Sequence, residues 1–151
     1  MIGSDNNASV GTLETLTTTL IDSVNGYRDA AQNAEGSKFQ EIFRRNADER
    51  SRVAEELRSE ISRLGGNAPD DGSFLGSTHQ RFLDLKAAVT GRDDKAIINE
   101  VERGEDYLKE KFEAALGADI APETRTVIER AYQSVRAGHD QMSALKHGME
   151  A

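Results

Sequence analysis

The clearest helical pattern of the chain lies in residues 37–66, SKFQEIFRRNADERSRVAEELRSEISRLGG. Apolar side chains recur there every three or four residues, which places them on one face of a helix. Ser37 is followed three residues later by Gln40, a capping-box pattern in which each side chain satisfies a free backbone donor. Gly65 and Gly66 mark the end, because glycine readily adopts the left-handed conformation that closes helices. The apolar stripe consists of Phe39, Ile42, Phe43, Ala47, Val53, Leu57, Ile61 and Leu64.

Three other segments show the same period and predict three more long helices. The first runs from near Thr12 to near Gly36. Because it ends so close to the start of the next helix, the two should form an antiparallel hairpin. The third ends at Gly117 and has Asp93 or Asp94 as a candidate cap. Pro122 suits the first turn of the fourth. Their stripes are Leu13, Leu16, Leu20, Val24, Tyr27 and Ala31; Ile98, Val101, Leu108, Phe112 and Ala115; and Ile128, Val135, Met142 and Leu145.

The connection between helices two and three is long and begins with the turn residues GGNAPDDGS, 65–73. A shorter amphipathic pattern follows at 74–89, and the whole connection is long enough to cross the bundle from end to end. No segment alternates apolar and polar residues over several positions, so no β-strand is predicted. We therefore predict an all-α four-helix bundle, one domain over residues 12–148, with a crossover that contains a short extra helix. Residues 1–11 are polar without an apolar period and predict a flexible tail.

The composition excludes several classes of protein. The chain of 151 residues has no cysteine, which excludes thiolate metal sites and disulfides and fits a cytoplasmic location. Its net charge of −8 makes it acidic and unfavourable for nucleic-acid binding. The apolar runs are too short for membrane insertion. A homo-oligomer or a complex with another protein is the partnership that we expect.

Polar residues interrupt the apolar stripes near their middles. Arg50 and Glu105 each lie seven residues from a stripe residue on either side, so both fall on the buried faces. Tyr27 and His139 occupy comparable places in helices one and four. A buried charge is very costly unless it is paired, so we expect Arg50 to pair with Glu105 in a network that includes Tyr27 and His139. The alternative is a rotation of the helices that leaves both charges at the flank with only their stems covered.

Three glycines stand immediately before three of these polar residues: Gly26, Gly104 and Gly138. An interior glycine costs a helix roughly 1 kcal/mol relative to alanine. The three positions therefore suggest close helix approach or a local bulge, with chance placement as the alternative.

Residues 50–73, RSRVAEELRSEISRLGGNAPDDGS, residues 85–116, LKAAVTGRDDKAIINEVERGEDYLKEKFEAAL, and residues 135–146, VRAGHDQMSALK, carry a family resemblance. With NGYRDAA at 25–31 it covers nearly the whole chain from about Thr12. The sequence resembles the ferritin-like superfamily and, within it, a family of bacterial proteins of unknown function known only as four-helix-bundle proteins. ERGED at 102–106 and the LGG ending of helix two are its most specific elements.

The resemblance implies a metal centre that this sequence only partly retains. Active ferritin-like proteins bind two irons with a Glu on each of two helices and a Glu-x-x-His on each of the other two. Here Arg50 stands where a Glu belongs, Val53 stands where its His belongs, and Arg136 replaces the Glu that precedes His139. Of the ligand positions, Glu105 and His139 survive.

The resemblance therefore implies that the di-iron site is degenerate and is replaced by a buried network of Tyr27, Arg50, Glu105, Arg136 and His139. The arginine charge would substitute for the charge of the metal. The expected protein is non-enzymatic, has no cofactor, and acts through self-association or a protein partner.

Two alternatives remain open at this stage. Glu102, Glu105 and His139 could hold a single iron or manganese ion in an oxidoreductase or an iron-handling protein. Tyr27, Glu105 and His139 could instead line a small-molecule pocket.

Overall fold

The computed structural model of the protein describes residues 2–69 and 94–150. Within these ranges the chain is helical and contains no strand, as predicted. None of the helices found there is long and apolar enough to cross a membrane. The helices are α1 (Ile2–Asn33), α2 (Ser37–Arg63), α3 (Asp94–Leu116) and α4 (Pro122–Glu150).

Hydrogen bonds between helices and the turns of neighbouring helices define the two ends of the bundle. At one end the Asp94 carboxylate, at the start of α3, accepts from the backbone N–H groups of Glu35 at 2.7 Å and Gly36 at 2.9 Å. At the other end the Ala121 N–H, just before α4, donates to Ser9 Oγ at 3.2 Å. Hence α3 starts beside the end of α1, and α4 starts beside the beginning of α1. In the resulting bundle α1 packs on α2 and α3, and α4 packs on α2 and α3, so packed neighbours are antiparallel.

The connection between α2 and α3 joins opposite ends of this bundle. Thr124 Oγ1, in the first turn of α4, donates to Glu60 Oε2 at 3.0 Å and places the end of α2 at the end where α4 begins. Because α3 begins at the other end, the chain must cross the bundle between them, as predicted. The short helix predicted at 74–89 lies outside the described residues.

The first helix begins earlier than predicted. It starts at Ile2 rather than near Thr12, so it takes in most of the segment expected to be a flexible tail. Ser9 is buried and accepts the Ala121 N–H, and Val10 packs against the apolar core. These tertiary contacts favour helix in a polar stretch that shows no period of its own.

The ends of α2 differ from the expected capping pattern at one terminus. The N-cap is Gly36, and no side chain caps it, so Ser37 is the first helical residue and the predicted capping box does not form. Gln40 instead donates through Nε2 to the Ala34 carbonyl at 2.7 Å. At the other terminus Gly65 has φ of 85°, the left-handed conformation predicted for it.

Two apolar clusters fill the interior, one on each side of the middle of the helices. The first contains Leu13, Leu16, Leu20, Val53, Ala54, Leu57, Ile61, Leu108, Phe112, Ala115, Ile120, Ile128, Ala131 and Val135. The second contains Val24, Tyr27, Ala30, Ala31, Ala34, Phe43, Ala47, Ile97, Ile98, Val101 and Met142. Ser23, Arg50 and Glu105 are buried polar residues that fall between the two sets along their helices.

Candidate functional site

Arg50 of α2 and Glu105 of α3 form an ion pair between the two apolar clusters. Arg50 Nη1 donates to Glu105 Oε1 at 2.6 Å, and Nη2 donates to Oε2 at 2.5 Å. Their side chains are 2% and 0% exposed. Two parallel hydrogen bonds to a carboxylate are the arrangement that the planar guanidinium favours. The structure thus brings together the two charges that the sequence placed on the buried faces, and neither lies at the flank.

The other two helices also contact the guanidinium. Ser23 Oγ of α1 accepts from Arg50 Nη1 at 2.8 Å, and the Val135 carbonyl of α4 lies 3.4 Å from Nη2. Arg50 Cζ lies 5.6 Å from the centroid of the Tyr27 ring, a cation–π distance. Residues from the other three helices therefore surround this one charged group of α2.

Gly138 allows α4 to approach this pair. A Cβ atom at Gly138 would lie 2.4 Å from Arg50 Nη2 and 3.0 Å from Glu105 Oε2. Both distances are shorter than ordinary van der Waals contacts with carbon. Of the three glycines that precede polar residues in the sequence, Gly138 is therefore explained by the close approach of α4 to Arg50. Gly26 and Gly104 are buried.

Burial and charge determine the protonation of the central groups. Burial raises the pKa of the Tyr27 phenol well above its ordinary value; the Glu105 charge adds to this effect and the Arg50 charge opposes it. Burial alone would lower the pKa of Arg50, but the adjacent Glu105 carboxylate outweighs it and raises the pKa. The phenol is therefore neutral and the guanidinium charged at neutral pH.

These residues do not fit the di-iron centre that the ferritin-like resemblance implies. A guanidinium has no lone pair to give a metal, and its charge repels a cation. Glu105 already holds this guanidinium with both oxygens. Val53, at a position where such a centre needs an imidazole, is buried in the first apolar cluster.

A groove of about 480 Å³ between α2 and α4 reaches Arg50 from the surface. Asn46 Nδ2 donates to Gln141 Oε1 at 3.0 Å, and Ser134 Oγ donates to Glu49 Oε2 at 2.5 Å, so two hydrogen bonds join the helices along it. Its lining does not include Tyr27, Glu105 or His139, the residues expected to line a small-molecule pocket.

His139 faces α3 rather than the central pair. Its side chain is 14% exposed, with Nε2 2.6 Å from Asp106 Oδ1 and Nδ1 3.2 Å from Asp140 Oδ1. Burial alone would lower the pKa of His139, but the hydrogen bonds to the two aspartates outweigh it and raise the pKa. The predicted placement of this imidazole in the central network is therefore not what the structure shows.

Arg136 also lies outside the central network. It follows Val135, which is buried, by about 100° around the helix and is exposed. The prediction of Arg136 as a buried member of the network is wrong for this reason.

The surviving carboxylates are arranged differently from the predicted metal triad. Ligand atoms of Glu102, Asp106 and His139 all lie within 4.8 Å of one another, and this is the group of possible metal ligands found among residues 2–69 and 94–150. Asp106 takes the place predicted for Glu105, because Glu105 points inward to Arg50.

Comparison with protein families places this chain in a known family. A family model described as a domain of unknown function, DUF2383, covers residues 8–118. This range contains α2 and α3 completely, and α1 from residue 8 onward. This protein belongs to the DUF2383 family. No curated protein matches its sequence. The family match contains Arg50, Glu105 and Ser23, whereas Gly138 and His139 lie beyond it.

Two residues of this DUF2383 protein were missed by sequence reasoning. Ser23 lies three residues after Leu20 and four before Tyr27, so the period of α1 could have found it. Asp106 lies four residues after Glu102, on one side of α3, but this spacing alone does not say which neighbouring helix that side faces.

Proposed function

We propose that this protein is a non-enzymatic ferritin-like bundle in which the Arg50–Glu105 pair stands in place of a di-iron centre, and which acts by associating with itself or with another protein. The observation that carries the proposal is the buried bidentate ion pair, whose two hydrogen bonds from Arg50 to Glu105 are 2.6 and 2.5 Å long. The pair uses the carboxylate of Glu105, a retained ligand position, and Arg50 supplies the positive charge that a metal would otherwise provide.

The topology supports the ferritin-like part of the proposal. Ferritin-like bundles have one long crossover connection among four helices. Here the single end-to-end connection joins α2 to α3, and short turns join the other pairs.

The burial of the central residues supports a role without catalysis. A catalytic group must contact its substrate, and Arg50 and Glu105 are 2% and 0% exposed at the side chain. Each also neutralises the charge of the other. A metal at Glu102, Glu105 and His139, the alternative that the sequence left open, would require Glu105 to leave Arg50 unpaired, at a cost of about 3–5 kcal/mol.

Metal titration tests the claim about the centre. Ferrous iron and manganese would be titrated under anaerobic conditions into the wild-type chain and into Glu105→Gln, with circular dichroism to verify that both are folded. The proposal predicts that Glu105→Gln leaves the binding of either metal unchanged. Loss of stoichiometric binding in this variant alone would overturn the proposal in favour of a central metal site.

Mass measurement tests the association. Light scattering of the full chain over a wide concentration range is expected to show a dimer or a larger assembly. A strict monomer would rule out self-association and leave the protein partner as the remaining form of the proposal. Capture of one partner at fixed stoichiometry would then be required.

A further inference from the structure

Glu102, Asp106 and His139 form a cluster on the edge where α3 meets α4. Glu102 and Asp106 lie one turn apart on α3, and one ligand atom from each of the three residues lies within 4.8 Å of the other two. The side chains of Glu102 and His139 are 16% and 14% exposed, and that of Asp106 is 52% exposed. The cluster therefore opens to solvent, unlike the central pair.

The imidazole of His139 is held in a defined orientation. Nδ1 lies 3.2 Å from Asp140 Oδ1, outside the cluster, and Nε2 points at Asp106 Oδ1 at 2.6 Å. A carboxylate on one ring nitrogen is the usual support for a histidine that ligates a metal through the other nitrogen. Nε2 therefore faces the carboxylate oxygens of the cluster, where a bound cation would lie.

The neighbouring cations are the main competitors for this place. Lys146 Nζ lies 3.4 Å from Glu102 Oε1, and its side chain is 32% exposed. Lys109 Nζ lies 3.8 Å from Glu113 Oε2, one turn further along α3. A partly exposed lysine on a flexible stem can move into solvent, whereas the buried Arg50 cannot leave Glu105 in this way.

We propose that Glu102, Asp106 and His139 bind one divalent transition-metal ion, of which Zn²⁺ is the best match. One imidazole nitrogen and two carboxylate oxygens suit zinc, whereas calcium and magnesium prefer oxygen alone. Three protein ligands leave the fourth tetrahedral position for water. Ligand atoms of such a site lie roughly 3.3 Å apart, so His139 and Asp106 separate slightly as the metal enters and the Nε2 proton passes to solvent.

This site differs from the triad that the sequence suggested, because it uses Asp106 and leaves Glu105 with Arg50. It also stands independently of the proposed association, since light scattering measures one and metal binding measures the other. The two proposals can therefore fail separately.

Calorimetric titration with zinc chloride tests the site on the full chain after treatment with a chelator. We expect one saturable zinc per chain in the wild type and an affinity at least about tenfold weaker in His139→Ala. Lys146→Met should bind zinc about fivefold more tightly or better, because it removes a positive charge beside Glu102. His147→Ala is the matched control, since His147 is exposed on α4 and is not in the cluster; its affinity should equal the wild-type value.

Three results would overturn the proposal. These are the absence of saturable binding in both the wild type and Lys146→Met, equal binding by His139→Ala and the wild type, or an equal loss in His139→Ala and His147→Ala. Circular dichroism of each variant would verify that a loss of binding is not a loss of fold.

Discussion

Arg50 Nη2 lies against the backbone of Gly138, on the helix across from its own. A Cβ atom at position 138 would be only 2.4 Å from this nitrogen. The nitrogen cannot easily move, because it donates to Glu105 at 2.5 Å in a buried site. The fit of α4 on α2 and α3 therefore depends on a missing side chain.

Gly138→Ala should destabilise the protein although alanine is the better helix former. The gain in helix propensity is about 1 kcal/mol, and forcing a methyl group into a packed site costs about 1–3 kcal/mol. Since the displaced atoms belong to a fixed ion pair, the cost should lie in the upper part of this range, at about 2–3 kcal/mol. We therefore expect a net loss of about 1–2 kcal/mol in the free energy of unfolding. Urea denaturation measures it.

Gly11→Ala is the matched control. Gly11 lies within α1, and a Cβ there would have no atom within 4 Å. This variant should be more stable than the wild type by up to about 1 kcal/mol. If both alanine variants gained stability equally, the close contact at Gly138 would be refuted.

Asp94→Ala should weaken the attachment of α3 to the turn between α1 and α2. The carboxylate accepts the Glu35 and Gly36 N–H groups at 2.7 and 2.9 Å. Hydrogen bonds to a charged group stabilise more than neutral ones, and the loss here should be about 1–3 kcal/mol. Asp94→Asn, which keeps one acceptor oxygen, should fall between Asp94→Ala and the wild type. Equal stability of all three proteins would contradict this role.

Glu60 should make the protein less stable in acid. Its hydrogen bond with Arg63 is the main cause that lowers the pKa of Glu60 below its ordinary value of 4.5, and a hydrogen bond from Thr124 adds to it. A carboxyl whose pKa is lower in the folded state contributes stability above its unfolded pKa. That contribution is lost as the pH falls through the native pKa. Stability should therefore decline below about pH 4.5 through this group.

Urea denaturation of wild type and Glu60→Gln from about pH 7 to about pH 3 measures the effect. Glu60→Gln should be the less stable protein at neutral pH, and the difference should shrink as the pH falls. Thr124→Val should lose a smaller part of the same pH dependence. A constant difference between wild type and Glu60→Gln at every pH would show that this carboxyl has no such effect.

The sequence predicts the central pair better than it predicts the residues of α4. Arg50 and Glu105 each have stripe residues seven positions away on both sides, so the period places them inward with little freedom. On α4, Gly138 and His139 lie on either side of the line from Val135 to Met142, each within roughly 60° of it. Spacing cannot choose between them. The volume of the guanidinium decides which of the two faces Arg50. Gly138 leaves the room that Arg50 needs, and His139 therefore faces α3.

The position at which α1 starts could not be predicted from the sequence, for a different reason. Residues 2–11 show no apolar period, and their helical form is stabilised by contacts with distant parts of the chain, such as Ala121 with Ser9. The failed capping box at Ser37 is similar, since the Gly36 N–H is bound by Asp94. Local patterns do not reveal partners so far away in sequence.

The pair of Arg50 and Glu105 should behave as one unit in stability. Arg50→Met and Glu105→Leu should each cost about 3–5 kcal/mol, because each leaves a buried charge without its partner. The double variant should lie close to the wild type or above it, since similar volumes of apolar side chain would replace both charges. Arg45→Ala is a surface control: Arg45 pairs with Glu41 while 77% exposed, and its loss should change stability by about 0.5 kcal/mol or less.

The most direct test of the proposed core is to measure the free energy that couples Arg50 to Glu105. It is obtained from urea denaturation of the wild type, both single variants and the double variant. A coupling of about 3 kcal/mol or more in favour of the pair is the predicted result. Single losses that simply add in the double variant, or a single variant as stable as the wild type, would contradict a central ion pair in place of a metal.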